Sequence, residues 1–157
     1  MLTDYDTALQ SAFPQTKTRV LDANFPFHTG FPLLPHLSHN DGRKVDLAFY
    51  YMGDQGYLPA ITRSPLGYFA FEDGYSTCPG HRLTLRWDMA WLQTLWPAYK
   101  PDRPRMQMAL NLLAADPRIT KIFIEPHLKQ SLGATSPKIR FQGCRAARHD
   151  DHIHIQL

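Results

Sequence analysis

The sequence predicts an α+β fold, a single domain with a central, mostly antiparallel sheet flanked by short helices. The chain has 157 residues, which suits one compact domain covering residues 1–157. Candidate helices and strands follow one another without a regular β-α-β repeat, which argues against a parallel sheet. The 13 prolines favour short elements over long helices.

Helices are expected where apolar residues recur at helical spacing and prolines or glycines lie near the ends. The segments that meet these conditions are residues 4–12, 83–96, 104–115 and 126–132. Strands are expected where β-branched and aromatic residues dominate. Those segments are residues 18–24, 44–52, 119–124, 138–141 and 152–157. The long Gly- and Tyr-rich stretch 53–80 is expected to be an ordered, functional excursion that walls a substrate groove.

Charge and hydropathy narrow the classes of partner. The net charge is +3 and the basic residues are scattered, which argues against nucleic acid and suits an anionic polymer. No apolar run approaches the ~20 residues of a membrane span. The first residues do not have the pattern of a signal peptide. Either the protein stays inside the cell or its export signal lies outside this sequence. The sequence does not indicate an oligomeric state.

Cys78 and Cys144 are the two cysteines of the chain. They either form one disulfide, as in an oxidising compartment, or remain two free thiols. Because neither lies in a C-x-x-C motif, a cysteine-based metal site is not expected.

Five of the eight histidines fall in two clusters near opposite ends of the chain. They are His36 and His39 in the first cluster, and His149, His152 and His154 in the second. Imidazoles gathered in this way indicate a metal or catalytic site.

In the second cluster, His152 and His154 alternate with Ile153 and Ile155. Positions i and i+2 of a strand face the same side of a sheet. Both imidazoles are therefore expected to face one cavity, with the isoleucines packed behind them. Polar groups on such a face need partners, and a metal ion satisfies that need.

Asp46 lies in an apolar strand, between Val45 and Leu47. If these neighbours point into the core, Asp46 points to the opposite face, where a carboxylate is costly unless it is paired or binds a cation. Two imidazoles and a carboxylate, from His39, His154 and Asp46, make a recognised zinc set that leaves a fourth position for water.

Both clusters resemble motifs of the zinc metallopeptidase group that joins lysostaphin-type endopeptidases, D-Ala-D-Ala peptidases and the hedgehog metal-binding domain. Within it, the likeness is to penicillin-insensitive murein endopeptidases, which carry motifs like H-x-S-H-x-x-G-x-x-V-D and G-H-D-D-H-F-H-V. The matching stretches here are His36-Leu37-Ser38-His39-Asn40-Asp41-Gly42-Arg43-Lys44-Val45-Asp46 and Arg148-His149-Asp150-Asp151-His152-Ile153-His154-Ile155. The likeness covers about residues 30–52 and 119–157, and Arg148 stands where the family usually has glycine.

The resemblance implies a hedgehog/DD-peptidase-like fold, a Zn²⁺ cofactor and hydrolysis of peptide bonds in peptidoglycan or muropeptides, in the periplasm or cell envelope. The residues carried over are His39, Asp46 and His154 as metal ligands, His152 and His149 as catalytic residues, and His36 as an additional site or second-metal residue.

The mechanism that follows uses a zinc-bound water as the nucleophile. No glutamate lies directly before the final His-x-His motif, because the two glutamates of the chain are Glu72 and Glu125. With an ordinary pKa near 6.5, His152 is the expected general base.

The residues beside these histidines have two interpretations each. Asp150 and Asp151 either orient a neighbouring histidine through a hydrogen bond or form a solvated turn. Arg148 either binds a substrate carboxylate or is surface charge. Two other functions also suit the sequence: a D-Ala-D-Ala carboxypeptidase or dipeptidase with the same site, and a catalytically silent zinc-containing binding domain.

Overall fold

Short strands and helices alternate along the residues that the computed structural model describes, which are 1–23, 39, 41–79, 86 and 90–157. In chain order the elements are α1 (Leu2–Ala12), β1 (Val20–Asp22), β2 (Lys44–Ala48), β3 (Tyr51–Gly53), β4 (Gly56–Leu58), a 3-10 helix (Ala90–Leu95), β5 (Lys100–Pro101), α2 (Arg103–Ala115), β6 (Lys121–Phe123), α3 (Pro126–Ser131), β7 (Ile139–Arg140) and β8 (His152–Gln156).

The larger sheet has five strands in the order β1-β2-β8-β6-β7. Its first three pairs are antiparallel, and only the edge pair β6–β7 is parallel. The expected mostly antiparallel sheet is therefore present. The histidine-bearing strand β8 lies at its centre, between β2 and β6, where both of its neighbours restrict its position.

One face of this sheet forms the hydrophobic core. Val45 pairs with Ile155 and Leu47 with Ile153, and all four side chains are buried. They belong to one cluster with helical residues that include Leu9, Met106, Leu110 and Leu113. Each fully buried aliphatic side chain contributes roughly 1.5–3 kcal/mol. Since successive strand residues alternate in direction, the intervening residues of β2 and β8 face the other side.

The apolar segment 44–52, predicted as one strand, is divided between two sheets. Residues 44–48 form β2, whereas β3 joins a second sheet of order β4-β3-β5. The chain leaves the first sheet at Tyr50, whose carbonyl accepts a hydrogen bond from the Asp102 amide (2.8 Å) and whose hydroxyl bonds that of Tyr5 (2.7 Å). These partners are distant in sequence, so hydrophobicity alone did not indicate the break.

Three of the four predicted helices are confirmed as α1, α2 and α3, within about two residues at each end. Asp102 caps α2 by accepting a hydrogen bond from the Arg105 amide (3.1 Å). Of the helix predicted over 83–96, the structure describes only residues 86 and 90–96, where a 3-10 helix spans Ala90–Leu95. The remainder of that prediction lies outside the described residues.

Taken together, the described residues form a small single-domain α+β protein with two sheets. None of its described helices has both the length and the apolar character that a bilayer crossing needs.

Candidate metal centre

The face of the sheet opposite the core carries a row of polar side chains. The register of β2 with β8 sets Asp46 directly beside His154, and Ala48 beside His152. Asp46 and His152 are fully buried, and His154 is 2% exposed. On the other side of His154 lies Phe123 of β6. The expectation that Asp46 turns away from the core, toward the two histidines, is confirmed.

His39 enters this face from the segment before β2. A turn at Asp41–Gly42 connects it to the strand, with Gly42 at a φ of +71° that favours glycine. Asp41 stabilises the turn by accepting a hydrogen bond from the Arg43 amide (3.1 Å). The imidazole of His39 is completely buried, and its Nε2 points at the polar row.

Three ligand atoms converge at this point. Nε2 of His39 lies 3.3 Å from Oδ1 of Asp46 and 3.3 Å from Nδ1 of His154. The Asp46 Oδ1 to His154 Nδ1 distance is 2.8 Å. Ligands held at zinc's usual bond lengths in a tetrahedron are about 3.3–3.6 Å apart. The triangle is therefore within about half an ångström of that geometry, and its donors fit a divalent metal ion.

A second group of possible ligands overlaps the first. Nitrogens of His149, His152 and His154 also lie within 4.8 Å of one another. Because His154 belongs to both groups, the members of the two groups form one connected cluster. The group with Asp46 contains a carboxylate that offsets the charge of a cation, whereas the other consists of imidazoles alone. The His39–Asp46–His154 triangle is accordingly the better candidate site for a cation.

In His39 and in His152, a carboxylate lies near the ring nitrogen that faces away from the histidine cluster. Oδ2 of Asp22, in β1, lies 3.7 Å from Nδ1 of His39. Nδ1 of His152 hydrogen-bonds Oδ1 of Asp151 at 2.5 Å. Carboxylates placed in this way orient the imidazole and select its tautomer. Of the two aspartates considered from the sequence, Asp151 hydrogen-bonds His152, and Asp150 hydrogen-bonds Arg148.

The carboxylates also set the charge state of the histidines. Burial alone lowers the pKa of His152, but Asp46 and Asp151 outweigh it and raise that pKa to about 9. Burial lowers the pKa of His154, against the opposing effect of its hydrogen bond to Asp46. The site thus stabilises positive charge, while His154 favours the neutral form that a metal ligand requires.

Arg148 and Asp150 bond to each other. Nε and Nη2 of Arg148 donate to the Asp150 carboxylate at 2.9 and 2.5 Å. The guanidinium stacks over the Phe71 ring at 3.9 Å, and burial raises the pKa of Asp150. The two donors of Arg148 that could bind a carboxylate therefore already bind Asp150, in the segment before β8. Its position does not support a role in binding a substrate carboxylate.

His149 is anchored through its backbone. Its amide donates to Oε1 of Glu125 (3.3 Å), and the Glu125 amide donates to the His149 carbonyl (3.0 Å). Glu125 is itself buried and paired with Arg86 (2.7 Å). The His149 ring lies with its centroid 4.9 Å from that of His152. His36, the remaining predicted site residue, lies outside the described residues.

Tyr68 and Asp22 belong to the site but were not predicted. Tyr68 donates a hydrogen bond from its hydroxyl to Oδ2 of Asp46 (2.9 Å). It comes from the 53–80 excursion, where no motif distinguishes one tyrosine from another. Asp22 could have been predicted from the sequence, because it is a carboxylate in an apolar strand. The same pattern identified Asp46.

The structure pairs Cys78 with Cys144 in a disulfide. The bond connects the end of the 53–80 excursion to the segment that leads into His149. A backbone hydrogen bond from the Glu72 amide to the Asp150 carbonyl (2.7 Å) joins the same two segments. Of the two alternatives that the sequence left open, the structure contains the disulfide.

Removing this disulfide is expected to destabilise the protein. The cysteines are 66 residues apart in sequence, and restricting an unfolded loop of that length stabilises the folded state by about 4 kcal/mol in the chain-entropy model. Urea unfolding of the Cys78→Ser/Cys144→Ser double variant measures the loss. Reduced wild-type protein should unfold at the same urea concentration as the variant, and equal stability of the oxidised protein and the variant would contradict this role.

No known family model and no curated protein matches the chain.

Proposed function

We propose that the protein is a zinc-dependent peptidase that hydrolyses peptide bonds in peptidoglycan, in the manner of murein endopeptidases and with their hedgehog/DD-peptidase-like fold. The observation that carries the proposal is the buried triangle of His39, Asp46 and His154 with His152 beside it. The substrate class is supported by the resemblance of the two histidine motifs.

In this proposal His39, Asp46 and His154 would hold the ion, since two imidazoles and a carboxylate make a catalytic zinc set. When bound, Zn²⁺ supplies a Lewis acid that polarises the scissile carbonyl and lowers the pKa of water toward about 7. Asp46 is the only carboxylate of the three ligands. It therefore provides the charge that keeps a dication in a buried place.

His152 acts as the general base and acid. Asp151 accepts a hydrogen bond from the Nδ1–H group of His152, and Nε2 lies 3.7 Å from Oδ2 of Asp46. From there Nε2 takes a proton from the attacking water and returns it to the leaving amine. With a cation bound at Asp46, the effect of that carboxylate on His152 would be opposed, and the pKa of the histidine would be lower than in the metal-free protein.

His149 assists from beside His152. Its backbone is fixed by Glu125, and its ring centroid lies 4.9 Å from that of His152 and 5.3 Å from that of His154. A ring in this place donates a hydrogen bond to the scissile carbonyl oxygen as negative charge develops there. Its contribution is one of binding and orientation, secondary to that of His152.

The disulfide and the charge of the chain support an envelope location. Disulfides persist in oxidising compartments such as the periplasm, where peptidoglycan is the abundant peptide-bearing polymer. The net charge of +3 favours contact with an anionic substrate.

Digestion of purified muropeptides tests the proposal. Zinc-loaded protein is incubated with cross-linked dimers, and the product masses are determined. Separation of dimers into monomers indicates an endopeptidase, whereas loss of a single terminal alanine indicates a carboxypeptidase. Chelator-treated protein should be inactive, and added zinc should restore it. Stoichiometric zinc without hydrolysis of any fragment would contradict the proposal and favour a silent binding domain.

A further inference from the structure

The two oxygens of the Asp46 carboxylate have different partners. Oδ1 is one of the three atoms of the ligand triangle and lies 2.8 Å from Nδ1 of His154 and 3.3 Å from Nε2 of His39. Oδ2 accepts a hydrogen bond from the hydroxyl of Tyr68 at 2.9 Å. In a fully buried site, the oxygen that does not bind the ion needs such a donor, because an unsatisfied carboxylate oxygen is costly.

Tyr68 is suited to this task because it is a neutral donor. Its side chain is buried, and its ring packs edge-on against His152 with centroids 5.1 Å apart. A phenol is uncharged at neutral pH and can donate its proton to a carboxylate oxygen, as Tyr68 does here. A lysine or arginine in this place would neutralise Asp46, whereas the phenol leaves its negative charge to a cation.

The backbone around Tyr68 is built to hold this side chain. The Ser64 hydroxyl donates to the Tyr68 carbonyl (2.5 Å), and the Gly67 amide donates to the Ser64 carbonyl (3.1 Å). Gly67 has a φ of +82°, and a Cβ there would lie 2.2 Å from the Leu21 side chain. This close approach fixes the loop against β1, the strand that also carries Asp22.

The next residue holds the second carboxylate of the site. The Phe69 amide donates to Oδ2 of Asp151 at 2.6 Å, and Oδ1 of the same carboxylate bonds His152. The Phe69 carbonyl accepts from Nε1 of Trp96 (3.2 Å). Phe69 has a φ of +64°, a strained value for an aromatic residue that persists only where the surroundings require it. Two consecutive residues thus position a metal-ligand carboxylate and the carboxylate that orients the base.

We propose that Tyr68 is a positioning residue that restrains Oδ2 of Asp46, so that Oδ1 alone is presented to the ion, and that it thereby sets the metal affinity and coordination of the site. The inference rests on the proposed metal centre. It assigns a role to a segment that the family resemblance does not cover.

The test compares metal binding by Tyr68→Phe, Ser64→Ala and Tyr5→Phe with that of the wild-type protein, using competition titrations with Zn²⁺ and visible spectra of the Co²⁺ form. Tyr68→Phe removes only the donor and is expected to bind Zn²⁺ about 10–100-fold more weakly, the usual loss when an outer partner of a ligand is removed. Its Co²⁺ spectrum should weaken, because both oxygens of Asp46 can then approach the ion. Ser64→Ala keeps the phenol but loosens its backbone, so its loss of affinity should be smaller.

Tyr5→Phe is the matched control. It also removes a buried phenol that hydrogen-bonds, here to the Tyr50 hydroxyl, but it lies away from the metal centre. It should bind both ions as the wild-type protein does, whatever its effect on melting temperature. Wild-type affinity and an unchanged Co²⁺ spectrum in folded Tyr68→Phe, or wild-type affinity in Ser64→Ala if Tyr68→Phe does not fold, would overturn the positioning role and leave the metal centre intact. Failure of the wild-type protein to bind either ion would overturn the proposed function and this inference with it.

Discussion

Asp46→Asn is expected to remove zinc binding almost completely. The substitution keeps the volume of the side chain and an oxygen that accepts from Tyr68, but it removes the negative charge from the ligand triangle. Loss of an outer partner alone weakens metal binding by roughly 10–100-fold, so loss of the only charged ligand should exceed about 100-fold. Metal analysis after dialysis measures the effect directly, with about one zinc per wild-type chain and almost none in the variant.

The same change should appear in thermal unfolding. A ligand at 100 times its dissociation constant stabilises the folded state by about 2.7 kcal/mol. In a chain of this size, each kcal/mol raises Tm by roughly 2–4 °C, so zinc should raise the wild-type Tm by roughly 5–11 °C. A chelator should reverse the increase. Asp46→Asn should melt at the same temperature with and without zinc.

Asp116→Asn is the control for Asp46→Asn. It makes the same chemical change at a carboxylate that pairs with the half-exposed Arg118, away from the cluster. Its zinc content and its response to zinc should equal those of the wild-type protein. If Asp46→Asn retains a full equivalent of zinc, the triangle is not the metal centre.

His152→Ala is expected to retain zinc and to lose hydrolysis. His152 lies beside the triangle without supplying one of its three ligand atoms, so the ion keeps all of its ligands. Removing a general base costs about 10²–10⁴-fold in rate. The measurement is kcat for cleavage of a muropeptide dimer, with zinc content determined on the same sample.

The comparison with His39→Ala decides between the two overlapping ligand groups. If the ion binds His39, Asp46 and His154, then His39→Ala loses zinc and His152→Ala keeps it. If the ion instead binds His149, His152 and His154, the outcomes are reversed and the general-base role of His152 is excluded. His127→Ala, which changes a partly buried histidine outside both groups, should leave metal content and hydrolysis unchanged.

Much of the candidate site could be predicted because strand geometry is local. Alternation along a strand places His152 and His154 on one face and turns Asp46 away from Val45 and Leu47, whatever the rest of the chain does. Three helices were predictable for the same reason, since their apolar spacing and terminal prolines are short-range features. The division of residues 44–52 between two sheets was missed because it depends on partners far along the chain.

The sequence by itself determined the chemistry that is available: two histidine clusters, a carboxylate in an apolar strand, and the face on which each side chain lies. Only the tertiary structure decided which of these groups meet. The core packing of Val45 and Leu47 against Ile155 and Ile153 sets the register that places Asp46 beside His154. Contacts of the neighbouring loop residues Gly67 with Leu21 and Phe69 with Asp151 place Tyr68 against Asp46. Backbone geometry limits the direction of a side chain within a few residues, whereas its partner more than a hundred residues away is selected by the packing of the whole core.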